Sequence, residues 1–266
     1  MSEELLYEQF GKVVKLTINR PTKRNALNKA VIQGLHDAFD KIAEDDSVSV
    51  VVIGGAGEKA FSAGFDLKES AGENIVDVLE RRADTANESK LWYKMWNLKK
   101  PILTMIHGYT IGGGITIAMM SDLVFAAEEG LKLGNPEVAL GYISSFPISL
   151  YKFPFNKVRE LCYMGNFWNS QDLKEAGFVN KIFPYEKLEE ETMKIAQRIA
   201  ETPLFSLSMM KQELNKGYEN MGFYNTMDYA AEMFNLCRMH MNLATDFSKS
   251  INENGLKNTV NEKYHN

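Results

Sequence analysis

The spacing of apolar positions changes along the chain, and those changes predict an order of elements. Residues 12–19, KVVKLTIN, read as a half-buried strand that Arg20-Pro21 ends. Asn28 then stands as a helix cap before an apolar stripe of Val31, Leu35, Ala38, Phe39 and Ile42, at the three-to-four spacing of a helix face. Residues 48–53 form a β-branched run that leads into Gly54-Gly55-Ala56-Gly57, which predicts a buried strand and a turn. A long helix is expected over about residues 75–97, carrying Leu79, Leu91, Trp92, Met95 and Trp96. Pro101 opens a further strand, ILTMIHG. Gly112-Gly113-Gly114 precede a short apolar helix, and residues 123–126 read as another strand.

Helices and strands thus alternate through the first two-thirds, which predicts an α/β core. Beyond Pro203 the pattern is helical and rich in Met and aromatic residues. A boundary is expected near Thr202, dividing a mixed core (1–202) from a helical module (203–266). The methionines of that module, Met209, Met210, Met221, Met227, Met233, Met239 and Met241, suit either a subunit interface or ordinary core packing.

Composition narrows the field. With 266 residues, 45% hydrophobic and 24% charged, the chain is ordinary globular material and large enough to fold without disulfides. Cys162 and Cys237 lack metal spacing and read as reduced thiols, which points to a cytosolic, cytoplasmic setting. A formal charge of −5 with no basic block argues against nucleic acid. No signal peptide is visible, and no apolar run reaches the roughly 18–20 residues of a membrane span. No His, Cys or carboxylate cluster has metal spacing.

Two glycine-containing turns carry the chemistry. Phe61-Ser62-Ala63-Gly64-Phe65-Asp66-Leu67-Lys68 follows one strand; His107-Gly108-Tyr109-Thr110-Ile111-Gly112-Gly113-Gly114 follows another and opens a helix. Neither has a dinucleotide or P-loop pattern. Together they can aim two backbone N–H groups at one carbonyl oxygen, with a helix N-terminus behind one of them. Such an oxyanion hole stabilises an enolate, and losing one donor typically costs about 10²–10³ in rate.

These segments resemble the paired oxyanion-hole turns of the crotonase (enoyl-CoA hydratase/isomerase) family. Arg20-Pro21 with Asn25-Ala26-Leu27, Asp122, Gly134-Asn135-Pro136-Glu137 and Ala176-Gly177-Phe178-Val179 resemble further family segments in the same order. The resemblance implies a spiral of repeated β-β-α units and C-terminal helices that join subunits into a homotrimer or homohexamer. It also implies an acyl-CoA thioester substrate, with coenzyme A present only as part of that substrate and no separate cofactor. The amides of Phe65 and Gly113 become the oxyanion donors. Ala26, Ala63, Gly64, Asp66, Leu67, Lys68 and Gly112 become substrate or coenzyme A contacts. Lys23 and Arg24 would meet phosphates or remain solvated loop charges.

The chain departs from family hydratases at one position. Those enzymes carry Glu two residues after the glycine triplet; here Ile115 and Thr116 follow Gly114. The second carboxylate is matched by Glu137. A hydroxyl cannot act as a base near neutral pH, so Thr116 can only hydrogen-bond a water or substrate. One Glu suffices to lift a proton from one carbon and return it two carbons away. The pattern therefore resembles that of single-glutamate enoyl-CoA isomerases that move a double bond from position 3 to 2. Hydration, thioester hydrolysis, decarboxylation and non-catalytic acyl-CoA binding stand as alternatives. Trp92 and Trp96 either wall the acyl chain or pack the core, and Tyr142 and Phe146 are placed to narrow the pocket. His107 reads as a structural histidine, and His36 and His240 as facing solvent or an interface.

Overall fold

The computed structural model describes residues 3–66, 69, 77–136, 138 and 143–239. Leu67, Lys68, Glu137, Tyr142, His240 and Met241 lie outside them. A six-stranded sheet runs in the order β1 (Leu5–Phe10), β2 (Val13–Ile18), β3 (Val50–Gly55), β5 (Ile102–Ile106), β7 (Leu123–Ala127) and β9 (Lys181–Phe183). Only the β1–β2 pair is antiparallel. A second, all-parallel sheet holds β4 (Ala60–Ser62), β6 (Tyr109–Ile111) and β8 (Lys132–Gly134) in that order. Successive strand pairs β3–β4, β5–β6 and β7–β8 each give one strand to the large sheet and one to the small sheet. The first two pairs are each followed by a helix, α2 (Val78–Asn97) and α3 (Gly113–Met120).

The β-branched run of β3 is buried on both faces, as a covered parallel strand requires. Val51 and Ile53 join the main core with α1 (Lys29–Glu44), whereas Val50 and Val52 face a second core. Leu188 and Ala196 of α7 (Tyr185–Ile199) close that second core. Asn28 caps α1 as expected, its side chain accepting from the Val31 N–H at 3.0 Å. The whole predicted stripe from Val31 to Ile42 is buried.

Two expectations need correction, and one strand was not anticipated. The N-terminal segment, for which no element was expected, forms edge strand β1, joined to β2 through Gly11 at φ +60°. Leu79 is 67% exposed rather than a core position of the long helix, which begins at Val78 after the Asp77 cap. Alternation also stops earlier than expected. Residues 149–199 hold α4 (Ser149–Lys152), α5 (Phe155–Met164), α6 (Ser170–Glu175) and α7, with β9 as the only named strand among them.

Helices α8 (Leu204–Asn220) and α9 (Phe223–Met239) pack on the rest of the chain. Phe223 stacks on Trp96 with ring centroids 4.2 Å apart, and Thr85 donates to the Asn235 side chain at 2.7 Å between buried positions. Trp92 and Trp96 pack in the core, and Phe146 is buried against Tyr93 and Phe223. Of the C-terminal methionines, Met227 is buried, while Met209, Met210 and Met221 are exposed. Cys162 and Cys237 are both half-buried, and neither is in a disulfide among the described residues. Among the described residues no helix is long and apolar enough to cross a membrane.

Candidate active site

The small parallel sheet gathers the motif segments at one edge. Residues 63–66 leave the C-terminal end of β4, Gly112 that of central β6, and Asn135 that of β8. Ile111 is the register partner of Gly134, so the strand entering the glycine triplet runs beside the strand entering Asn135-Pro136. Carboxyl ends of parallel strands are where open α/β sheets commonly hold ligands.

The Gly64–Phe65 peptide is held in one orientation. Leu27 and Phe65 form a parallel bridge in which the Leu27 N–H donates to the Gly64 carbonyl at 2.7 Å and the Asp66 N–H to the Leu27 carbonyl at 3.0 Å. In a trans peptide the carbonyl and the N–H point in opposite directions. Because the Gly64 carbonyl faces Leu27, the Phe65 N–H faces away from it, and it has no hydrogen-bond acceptor among the described residues. Gly113 is the first residue of α3, so its N–H has no carbonyl within the helix to meet. It too lacks an acceptor among the described residues. The two turns touch: a Cβ on Gly64 would lie 3.1 Å from the Gly113 nitrogen. Gly64 at φ +81° and Gly112 at φ +52°, ψ −121° use backbone conformations that L side chains resist.

Three residues brace this arrangement. Asn25, fully buried at φ +54°, donates to the Ala56 and Ala60 carbonyls at 2.9 and 2.7 Å and accepts from the Arg20 N–H at 3.0 Å. Ser62 donates to the Asn25 carbonyl at 2.8 Å and accepts from the Gly64 N–H at 3.2 Å, so its hydroxyl is occupied in shaping the turn. Arg20 pairs with Glu4 and with Asp66, each at 3.0 Å, and donates to the Ala26 carbonyl at 2.7 Å. Sequence reading used Arg20 only as a strand end and motif match, and it passed over Asn25 and Ser62 as site builders. The available signal was Asn at a left-handed turn, a conformation it tolerates better than most residues.

The remaining expected contacts divide. Ala26, Ala63, Gly112 and Thr116 are half-buried around the two turns, and Gly64 is buried. Thr116 lies on the first turn of α3, on the helix face it shares with Gly113 three residues earlier. Asp66 is turned to Arg20. Lys23 is exposed, and Arg24 lies over the Tyr109 ring at 5.2 Å, with Lys132 5.4 Å from the same ring. His107 is buried, and its Nε2 meets the Gly57 carbonyl at 2.7 Å. Burial pushes its pKa down against the opposing pull of that hydrogen bond, as suits a neutral structural imidazole.

Comparison with known proteins identifies the family and the fold. Residues 8–248 match the enoyl-CoA hydratase/isomerase family model. A "probable enoyl-CoA hydratase, mitochondrial" of Dictyostelium discoideum is 33% identical over 215 residues, covering 80% of this chain and 75% of that protein. A "probable enoyl-CoA hydratase" of Rhizobium meliloti is 32% identical over 220 residues, covering 82% and 83%. The crystal structure of an enoyl-CoA hydratase/isomerase from Xanthobacter autotrophicus Py2 superposes with a TM-score of 0.94 at 24% identity, covering 100% and 98% of the two chains. With its two-sheet spiral and paired glycine turns, the chain belongs to the enoyl-CoA hydratase/isomerase family and has the crotonase fold.

Proposed function

We propose that the chain binds an enoyl-coenzyme A thioester, holds its enolate oxygen on the Phe65 and Gly113 amides, and moves the double bond from position 3 to position 2. Glu137 takes the proton from C2 and returns it at C4. The dienolate between these steps carries its charge on the thioester oxygen, where two fixed N–H groups and the N-terminus of α3 stabilise it. The observation that carries the choice of reaction is Thr116 on the first turn of α3. Hydration needs a water activated and held while a proton is delivered to carbon. A threonine hydroxyl supplies a hydrogen bond there and no base. The pairing of Ile111 with Gly134 supports Glu137 as the partner, since the segment leading to it runs alongside the triplet.

The test is to offer a 3-enoyl-CoA and a 2-enoyl-CoA separately. The expected results are bond migration in the first and no 3-hydroxyacyl product from the second. Glu137→Gln should end exchange of the α-proton with deuterated water; retained exchange removes Glu137 from the role of base. Hydration is the second reading, favoured by the names that the relatives at 32–33% identity carry. Efficient formation of 3-hydroxyacyl-CoA by the unaltered chain would establish it instead.

The same reading makes residues 203–266 a subunit-joining module of a homotrimer or homohexamer. Exposed Phe205, Leu214, Met221, Tyr229 and Leu236 support this, and sedimentation equilibrium reads it directly.

A further inference from the structure

A series of peptide units connects a nearly buried cation to one of the two oxyanion donors. Arg20 Nη1 donates to the Ala26 carbonyl at 2.7 Å. The same peptide plane carries the Leu27 N–H, which donates to the Gly64 carbonyl at 2.7 Å. That second plane carries the Phe65 N–H, which faces the site. None of the described peptide bonds is cis, so in each unit the carbonyl and N–H point in opposite directions, and the dipoles run head to tail. Both distances lie at the short end of the N–H···O range, and the first is charge-assisted because the guanidinium donates it.

The surroundings let this arrangement matter. The Arg20 side chain is only 12% exposed, so solvent screens its short-range effect weakly. Its Nε is held by Glu4 at 3.0 Å, and the second hydrogen of Nη1 by Asp66 at 3.0 Å, which fixes the guanidinium plane. Those carboxylates offset its field at a distance. They do not remove its direct bond to the Ala26 carbonyl. Hydrogen bonds in series polarise one another in a medium of low dielectric. The other donor, Gly113, has the dipole of α3 behind it. Phe65 sits on no helix, and the Arg20 series occupies the corresponding place.

We propose that Arg20 is a positioning residue for the oxyanion hole, acting through the Ala26–Leu27 and Gly64–Phe65 peptides to aim the Phe65 N–H and strengthen it as a donor. This rests on the enolate reading above and goes beyond it by assigning the source of polarisation.

The experiment binds 2-butenoyl-CoA, labelled with ¹³C at the thioester carbonyl, and reads the carbonyl stretch by isotope-edited infrared spectroscopy alongside kcat and KM. The wild-type chain should lower the stretching frequency on binding. Arg20→Met should lose about half of that lowering, with kcat for the proposed isomerisation falling about tenfold, less than the loss of a whole donor, and KM moving less than about threefold. Arg20→Lys, which keeps a cationic donor, should restore part of both. Should Arg20→Met fail to fold, Arg20→Gln, which keeps an N–H donor and loses the charge, is read in the same way. A folded Arg20→Met or Arg20→Gln chain with the wild-type frequency and kcat overturns the proposal while leaving the oxyanion hole intact. A wild-type chain that binds the ligand without any lowering overturns the oxyanion reading itself, and this inference with it.

Discussion

At Gly64 a single hydrogen in place of a methyl group keeps two turns in register. An alanine there would have to hold φ +81° and would place its Cβ 2.9 Å from the Ile111 carbonyl oxygen. Both demands are relieved by rotating the 64–65 peptide, which turns the Phe65 N–H away from the site. Gly64→Ala is therefore expected to cost about 1–3 kcal/mol of stability. It should also lower kcat by about 10²–10³, the loss of one oxyanion donor. Urea unfolding reads the first and steady-state kinetics on folded protein the second. A stable variant with wild-type kcat would show that the Phe65 amide does not face the reacting oxygen. At this scale the glycine turns were legible because their residue types are restrictive. The bracing by Arg20, Asn25 and Ser62 was not, since it depends on which way individual peptide planes face. Asn25 illustrates the difficulty: its left-handed backbone and three side-chain bonds leave no mark on hydrophobic periodicity.

Among elements, α1 shows how a helix becomes readable. Its cap and its buried stripe repeat at the period of the helix itself, and the surface face between them is polar. Strand β1 lacks that contrast. Leu5 faces inward, yet Leu6 and Phe10 are 38% and 43% exposed, so alternation is blurred and only pairing with β2 defines the strand. These two elements are also tied together. The Asn28 side chain accepts from the Val31 N–H, and its amide donates at 2.8 Å to Glu4, the carboxylate that holds Arg20. Asn28→Ala should cost about 1–2 kcal/mol, the usual capping loss with a charge-assisted bond added. Asn28→Asp should retain the cap yet place a second carboxylate beside Glu4, so its stability should recover only in part at neutral pH. Chemical unfolding at pH 7 orders the three chains. An Asp variant as stable as the wild type would mean that the Glu4 contact contributes nothing.

Across the whole molecule, helix α8 meets the part of the chain that carries the glycine turns at a small charge cluster. Asp122, just past the end of α3, accepts from the Ile102 N–H at 2.7 Å and from Lys211 of α8 at 2.7 Å. Lys211 also donates to the Lys100 carbonyl at 3.1 Å, and Lys152 of α4 reaches the Ser121 carbonyl at 3.3 Å. Burial pushes the Lys152 pKa down, Asp122 opposes that, and the nearby Lys211 adds to it. One carboxylate thus serves two ammonium groups, which makes the cost of its removal unequal to that of either lysine. Lys211→Met leaves Asp122 with a backbone donor and with Lys152 still nearby, and the carboxylate keeps 28% side-chain exposure to water. That variant should lose about 1–2 kcal/mol, below the usual figure for a broken buried pair. Asp122→Asn leaves two ammonium groups close together without their shared counter-charge, and should lose more, about 2–4 kcal/mol. Thermal and urea unfolding of both variants measure the order. Relief of repulsion also predicts that the Lys152 pKa rises in Lys211→Met, which ¹⁵N-resolved titration of the lysine side chain detects. The reverse order of stability would mean that Lys211, and not the shared carboxylate, holds α8 against the end of the glycine helix.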